Sequence, residues 1–310
     1  MTANTIPAAA ADKIGDRFVQ AGLLTPAQVE RVVERQLADG IRFGEAAVRL
    51  GLLGDADVQS VLAQQFRYAA GPVAGAGLDR SLAIALEPFG PEAEAVRRIR
   101  AELSIRLADL PKLAVAVVSP SEGEGKSDLA ASLAIAYAQL GRRTLLINAN
   151  LRASGQIDLF GLGVRGDGLS SQLAGRAAPQ PGVPVPGFPL LRVLGPGPQP
   201  PNPLEILLEP ALERLMAAFA EEVDVFIVDT PAASASSDAQ VIARQVGQCV
   251  LVGRQHHTLL QDLERTQAQM ATAGVQTVGI VYNTFDADAR RGAGAAAGRL
   301  RRLWPWPRSR

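Results

Sequence analysis

Ser119-Pro120-Ser121-Glu122-Gly123-Glu124-Gly125-Lys126-Ser127 is the stretch whose reading decides the fold. An apolar run at 113–118 (LAVAVV) leads into it, and an apolar helical stretch at 130–140 (AASLAIAYAQL) follows it. Glycines let a loop wrap phosphate with its N–H groups, and the start of the next helix adds a favourable dipole. Set between strand and helix, Gly123-x-Gly125-Lys126-Ser127 reads as a P-loop, although the leading glycine of the strict pattern is here Pro120. Lys126 is then placed to reach the β- and γ-phosphates, and the Ser127 hydroxyl to bind Mg²⁺. Further apolar runs at 144–148, 224–228, 249–253 and 277–282 alternate with helical stretches, as in a parallel sheet buried on both faces. The expectation is an α/β P-loop NTPase with a mostly parallel sheet. The proline-dense stretch 179–203 reads as loop around one short strand at 191–194.

Two strand ends carry further polar groups. One runs into Asn148-Ala149-Asn150-Leu151-Arg152, the other into Asp229-Thr230-Pro231. The second reads as a Walker B strand end, with Asp229 placed to hold Mg²⁺ directly or through water. A buried acid at such a place also serves as the cap of the next turn.

Composition bounds the rest. The 310 residues leave room for two domains, and 47% hydrophobic content supplies a real core. Lys+Arg and Asp+Glu both number 31, so no bulk field favours nucleic acid, and no nucleic-acid partner is expected. The balance hides a basic tail: residues 286–310 hold seven Arg against Asp286 and Asp288. Cys249 is the sole cysteine, which excludes a disulfide framework and a Cys-based zinc site. No apolar run approaches the ~20 residues of a membrane span and the N-terminus lacks a basic start, so a soluble, cytoplasmic protein is expected.

Residues 13–36 and 42–65 align at an offset of 29, with nine of 24 positions identical, against roughly two by chance. Each copy reads as helix, Gly-Leu-Leu turn, helix; Thr25-Pro26-Ala27-Gln28 looks like a capping box. A small all-α two-repeat domain is therefore expected at 12–68, followed by an Ala/Gly/Pro-rich linker at 69–88. The repeat resembles the N-terminal domain of type II secretion and pilus assembly ATPases in the form that binds cyclic di-GMP. The resemblance implies that Lys13, Gly15, Gly22, Arg42, Gly44 and Gly51 contact that nucleotide. The same glycines and leucines also fit a plain packing pattern for a docking domain.

Residues 89–286 resemble the P-loop domain of bacterial tyrosine autokinases, the partners of chain-length regulators in exopolysaccharide assembly. The match rests on Ser119-x-x-x-Gly-Glu-Gly-Lys-Ser127, Asn-x-Asn-x-Arg at 148–152 and Gly-Leu-Ser at 168–170. It continues through Pro-Asn-Pro-Leu-Glu at 201–205, Asp-Thr-Pro at 229–231, Ser-Asp-Ala at 237–239 and the strand ending in Asn283. It implies ATP and Mg²⁺ as cofactors, with Ser121, Gly123, Glu124, Gly125, Lys126, Ser127, Asp128 and Asn283 around the nucleotide, Asn283 at the adenine. Catalytic positions would be Lys126, Asn148, Asn150, Arg152 and Asp229, with Ser127 and Asp229 on the metal. Glu94-x-x-Arg97-x-x-Arg100 matches the family's ring-assembly element, which implies a homo-oligomer; such spacing on a helix also suits a solvated charged face. An integral-membrane chain-length determinant (a polysaccharide copolymerase) is the implied partner, placing the protein at the inner membrane through it.

Three features depart from that family. Its Asp-x-Asp-x-Arg is here Asn148-x-Asn150-x-Arg152, and an amide can neither carry the charge nor take the proton. Asp128 stands where a hydroxyl residue is usual. The tyrosine-rich tail is missing: Tyr68, Tyr137 and Tyr282 are the only tyrosines, with Tyr137 and Tyr282 expected in the core and Tyr68 reachable. The tail 287–310, which holds both tryptophans, is expected to be disordered and either solvated or touching anionic lipid. Two readings stay open, a working tyrosine kinase and a nucleotide-binding scaffold of the same export machine. A partitioning-type ATPase fits less well, since Ser121 stands where that group has a second lysine.

Overall fold

The computed structural model describes residues 8–54, 57–58, 61, 77–88, 90–152, 158–163, 166–284 and 299–304. The chain divides into two compact units, Met1–Ala70 and Gly71–Arg310.

In the first unit the repeat is visible in three dimensions. Helices α1 (Ala8–Gln20), α2 (Pro26–Asp39) and α3 (Phe43–Arg49) enclose a core of Phe18, Leu24, Val32, Phe43, Ala46, Ala47, Leu53 and Val61. Phe18 and Phe43 stack at its centre, ring centroids 5.6 Å apart. Thr25 and Gln28 form the expected capping box with Pro26 at the first helical position. The second copy keeps half of it: Gly54 replaces the threonine, and its N–H donates to Asp57 Oδ2 at 2.8 Å. Equivalent glycines have equivalent jobs. A Cβ on Gly15 would meet Cγ1 of Val29 at under 3.0 Å, and one on Gly44 would meet Cγ1 of Val58 in the same way. Gly22 and Gly51 take positive φ (69° and 65°) to end their helices.

The second unit is a three-layer sandwich. Its strands are β1 (Leu113–Val118), β2 (Thr144–Asn148), β3 (Val183–Val185), β4 (Phe188–Leu194), β5 (Val225–Asp229), β6 (Gln248–Arg254), β7 (Gln276–Thr284) and β8 (Arg299–Trp304). They lie in the order β3-β4-β2-β5-β1-β6-β7-β8, with every pair from β4 to β7 parallel. Side chains alternate between two cores, as a pleat dictates. Val115, Val117, Leu146 and Ile227 face one layer, built on α4 (Ala83–Leu86), α5 (Pro91–Arg106) and α6 (Lys126–Gln139). Ala116, Val118, Ile147 and Val228 face the other. That layer is built on α8 (Pro203–Leu208), α9 (Ala211–Ala218), α10 (Asp238–Val246) and α11 (Leu260–Thr272); α7 spans Leu169–Leu173. β1 sits between β5 and β6, strands that follow it on opposite sides of the sheet, so its carboxyl end opens at a topological switch point. The P-loop is there.

Three expectations are corrected. The stretch 179–203 holds a hairpin rather than a lone strand, because Pro186-Gly187 (φ 82° at Gly187) supplies a tight turn that pairs β3 with β4. The tail expected to be disordered contributes β8, antiparallel to β7, which would otherwise be the open edge of the sheet. Tyr282, expected in the core, is 44% exposed, since it lies on a strand near that edge; Tyr137 is buried as expected. Arg97 and Arg100 are engaged within the chain: Arg97 donates to Pro88 O, and Arg100 Nη1 donates to Ala136 O at 3.0 Å, near the end of the P-loop helix. Glu94 alone of that trio is exposed. Tyr68, residues 69–76 of the linker and the rest of the tail lie outside the described residues.

Gly15→Ala and Gly44→Ala are each expected to destabilise the N-terminal unit by about 1–3 kcal/mol, because the stiff valine opposite cannot yield. Shortening that valine should offset much of the loss in the pairs Gly15→Ala/Val29→Ala and Gly44→Ala/Val58→Ala. Urea unfolding followed by helical circular dichroism decides it. A stabilised single mutant, as helix propensity alone would give, overturns the packing role.

Candidate nucleotide-binding site

Buried β1 ends at Val118, and the chain turns through 119–125 before α6 begins at Lys126. Gly123 and Gly125 take φ of 75° and 87°, a region costly for side chains, and a Cβ on Gly125 would strike Nδ2 of Asn283. Lys126, Asp229 and Glu124 are all buried. Their roles differ.

Asp229 closes β5 beside β1 and β2, in register with Val117 on one side and Asn148 on the other. Burial pushes its carboxyl up from the ordinary 3.8 to about 6, with the nearby Asp128 charge adding to the shift; Lys126 and a hydrogen bond from Ser127 oppose it. Its Oδ1 is buried and has no hydrogen-bond partner. An orphaned carboxylate oxygen beside a serine hydroxyl offers the oxygen ligands that Mg²⁺ takes, so Ser127 and Asp229 fit the implied ion.

Asn148 and Asn150 build the neighbouring loop. Asn148 Oδ1 accepts from Asn150 N at 3.1 Å, and Asn150 Oδ1 accepts from Arg152 N at 3.3 Å. These are two successive side-chain turns, which the carbonyl oxygen of an amide closes as well as a carboxylate would. Arg152 is then held by Asp238, a fully buried acid at the start of α10, through bonds of 2.6 and 2.9 Å. Sequence reading matched Ser-Asp-Ala at 237–239 without giving Asp238 this task, because the pairing bridges 86 residues.

The Glu124 carboxylate, 0% exposed, accepts from its own loop at Ser121 N (2.8 Å) and from the Thr258 hydroxyl. This carboxylate braces the loop, which leaves the Glu124 N–H as the group that could face a nucleotide. Asn283 Nδ2 donates to Glu124 O at 3.1 Å. Arg254 Nη1 reaches Gly123 O at 2.9 Å, and His257 Nε2 lies 3.2 Å from Glu122 O. Arg254, His257 and Thr258 were missed; the only sign of them is a polar cluster after the β6 run. The fold thus brings together Ser121, Gly123, Glu124, Gly125, Lys126, Ser127, Asp128, Asn148, Asp229 and Asn283. Glu94, Arg97 and Arg100 lie on α5, outside this cluster. Lys13, Gly15, Gly22, Arg42, Gly44 and Gly51 belong to the other unit.

No protein-family profile matches the chain. Individual relatives do. The tyrosine-protein kinase YwqD of Bacillus subtilis is 31% identical over 209 residues, covering 67% of this chain and 88% of YwqD. The chain belongs to the bacterial tyrosine-protein kinase family. EpsB of Ralstonia solanacearum is 34% identical over 215 residues, 69% of this chain; the chain spans 28% of the length of that longer relative. Among solved structures, the kinase domain of Escherichia coli tyrosine kinase ETK superposes with a TM-score of 0.63 at 28% identity. It covers 71% of this chain and 84% of that one. The chimerical protein CapA2B2 gives 0.61 at 27% identity, covering 72% of this chain and 97% of its own. In this kinase-family member, the α/β unit therefore has the family's P-loop kinase-domain fold.

A carboxylate whose pKa is raised by folding favours its protonated form, so ionising Asp229 destabilises the fold as pH rises from about 4 to about 6. Asp229→Asn is expected to stabilise the ligand-free protein at pH 7.5 by up to about 3 kcal/mol, with little gain below pH 4. Thermal unfolding of both proteins across that range checks it. Equal or lower stability of the variant at pH 7.5 overturns the assignment.

Proposed function

We propose that this protein binds Mg-ATP and serves as a nucleotide-dependent assembly component of an exopolysaccharide export machine, with weakened tyrosine phosphorylation. The observation that carries the reading is the contrast at two adjacent strand ends. Asp229 keeps an unpaired buried oxygen beside Lys126 and Ser127, while Asn148 and Asn150 keep the turns and lack the acids. Binding groups are retained and a proton acceptor is missing. Lys126 and the loop N–H groups would hold the phosphates, Ser127 and Asp229 the cation, which supplies charge neutralisation at the phosphates. Loss of a general base costs ~10²–10⁴-fold in rate.

The resemblance to autokinases supports an integral-membrane chain-length determinant as partner, and the likeness to the chimerical protein CapA2B2 agrees with a joined assembly. Among the described residues no helix is long and apolar enough to cross a membrane. Homo-oligomer formation rests on the Glu94/Arg97/Arg100 element, of which Glu94 is the exposed member. The repeat unit is read as a docking module. Its glycines are accounted for by packing and turns, so cyclic di-GMP as effector rests on the resemblance alone. The repeat module is assigned to 12–68; the linker expected at 69–88 gives way before α4, which packs in the α/β core, and the P-loop module expected at 89–286 takes in both α4 and β8. A working kinase is the second reading, favoured by Asp128: its charge acts on Asp229 and adds a carboxylate to the site.

Intact-mass and phosphate-release measurements with Mg-ATP, beside Lys126→Ala and Asn148→Asp/Asn150→Asp, separate the readings. We expect nucleotide binding that Lys126→Ala abolishes, little phosphate transfer to an added tyrosine polymer, and 10²–10⁴-fold recovery on restoring both acids. Strong phosphorylation by the unmodified chain would establish the kinase; absence of nucleotide binding would remove both readings.

A further inference from the structure

A loop that binds phosphate through N–H groups has an unavoidable counterpart. In a planar trans peptide the C=O of one residue and the N–H of the next point in opposite directions. Aiming the N–H groups of Gly123, Glu124 and Gly125 at a phosphate therefore turns the carbonyls of Glu122, Gly123 and Glu124 outward. In this protein those three successive carbonyls each meet a side-chain donor, two from the end of β6 and the turn after it and one from β7. His257 Nε2 lies 3.2 Å from Glu122 O, Arg254 Nη1 donates to Gly123 O at 2.9 Å, and Asn283 Nδ2 donates to Glu124 O at 3.1 Å. With its partner a carbonyl, His257 Nε2 carries the proton.

The donors are themselves tied down. Gln255 N donates to Asn283 O at 2.8 Å, joining the end of β6 to the end of β7, and Arg254 N donates to Thr258 Oγ1 at 2.7 Å. Thr258 in turn donates to the buried Glu124 carboxylate. Between them His256 sits at φ 57°, the one non-glycine with positive φ among the described residues. A left-handed residue of this kind persists where its surroundings over-determine it. Here it bends the turn so that Arg254 and His257 both face the loop.

We propose that Arg254, His257 and Asn283 form a clamp on the outer side of the P-loop that holds its N–H groups in the phosphate-binding orientation before any ligand arrives. They are positioning residues. The proposal rests on the nucleotide-binding reading for its purpose, but not for its geometry. It gives Asn283 a task separate from the adenine contact that resemblance implies. Polarisation adds to it, since a donor on each carbonyl strengthens the N–H of the same peptide unit.

The test uses the full chain and the variants Arg254→Met, His257→Leu and His257→Gln, the last keeping a donor near the Nε2 position. Affinities for Mg-ADP and for Mg-pyrophosphate, which has no base, are measured beside amide hydrogen exchange across 121–127 in the ligand-free protein. Thermal midpoints confirm that each variant is folded. We expect Arg254→Met and His257→Leu to weaken both ligands by the same factor, about tenfold, with faster exchange in the loop; His257→Gln should recover most of both. A loss for ADP with pyrophosphate unchanged would make these residues base contacts and overturn the clamp. So would unchanged exchange in the loop. If the unmodified protein binds neither ligand, the nucleotide reading fails, and the exchange data alone decide whether the clamp exists.

Discussion

Peptide geometry constrains this site more than any single side chain does. Once the loop after β1 presents N–H groups at the switch point of the sheet, its carbonyls turn to the opposite side, where side-chain donors meet them. The ends of β6 and β7, with the turn at 254–258, supply those donors, and the buried Glu124 carboxylate closes the loop from within. The order of strands serves the same arrangement. β1 has β5 on one side, which brings Asp229, and β6 on the other, which brings Arg254.

Charge at the site is balanced against burial. Asp229 is held where its ionised form is disfavoured, with Lys126 and Ser127 as partial compensation and one oxygen left unpaired. Such an arrangement gives up stability in the ligand-free protein and keeps a group ready for a cation. Asn148 and Asn150 show the converse. Their side-chain oxygens do the structural work of the loop, so the fold tolerates the exchange of acid for amide while the chemistry changes. The Arg152 guanidinium is kept in place by the buried Asp238, while the loop holds its backbone N–H.

The N-terminal unit obeys a different constraint. A helix pair this small cannot bury its apolar face alone, so the two copies share one core around the stacked Phe18 and Phe43. Gly15 and Gly44 let α1 and α3 approach Val29 and Val58, and this repeated contact explains why the glycines recur at an offset of 29. Spacing in the sequence could not separate that role from nucleotide binding, because a glycine missing its Cβ for packing looks the same as one missing it for a ligand.

Much was legible from residue order alone. The repeat, the apolar runs of the sheet, the P-loop glycines with Lys126 and Ser127, and Asp229 at a strand end are local patterns, each set by periodicity or turn chemistry within a few residues. Three things had to wait for the fold: the hairpin of β3 and β4, the pairing of β8 with an open edge, and the exposure of Tyr282. Each depends on which strand lies beside which, and sequence order does not state this. The same holds for the contacts of Arg97 and Arg100 with carbonyls of their own chain, which helical spacing does not announce. The amino-acid sequence by itself determined that this chain has a phosphate loop and a repeat. Only the tertiary structure decided what holds that loop open, since Arg254, His257 and Asn283 lie 131 to 159 residues from the carbonyls they face, a separation closed by sheet topology alone.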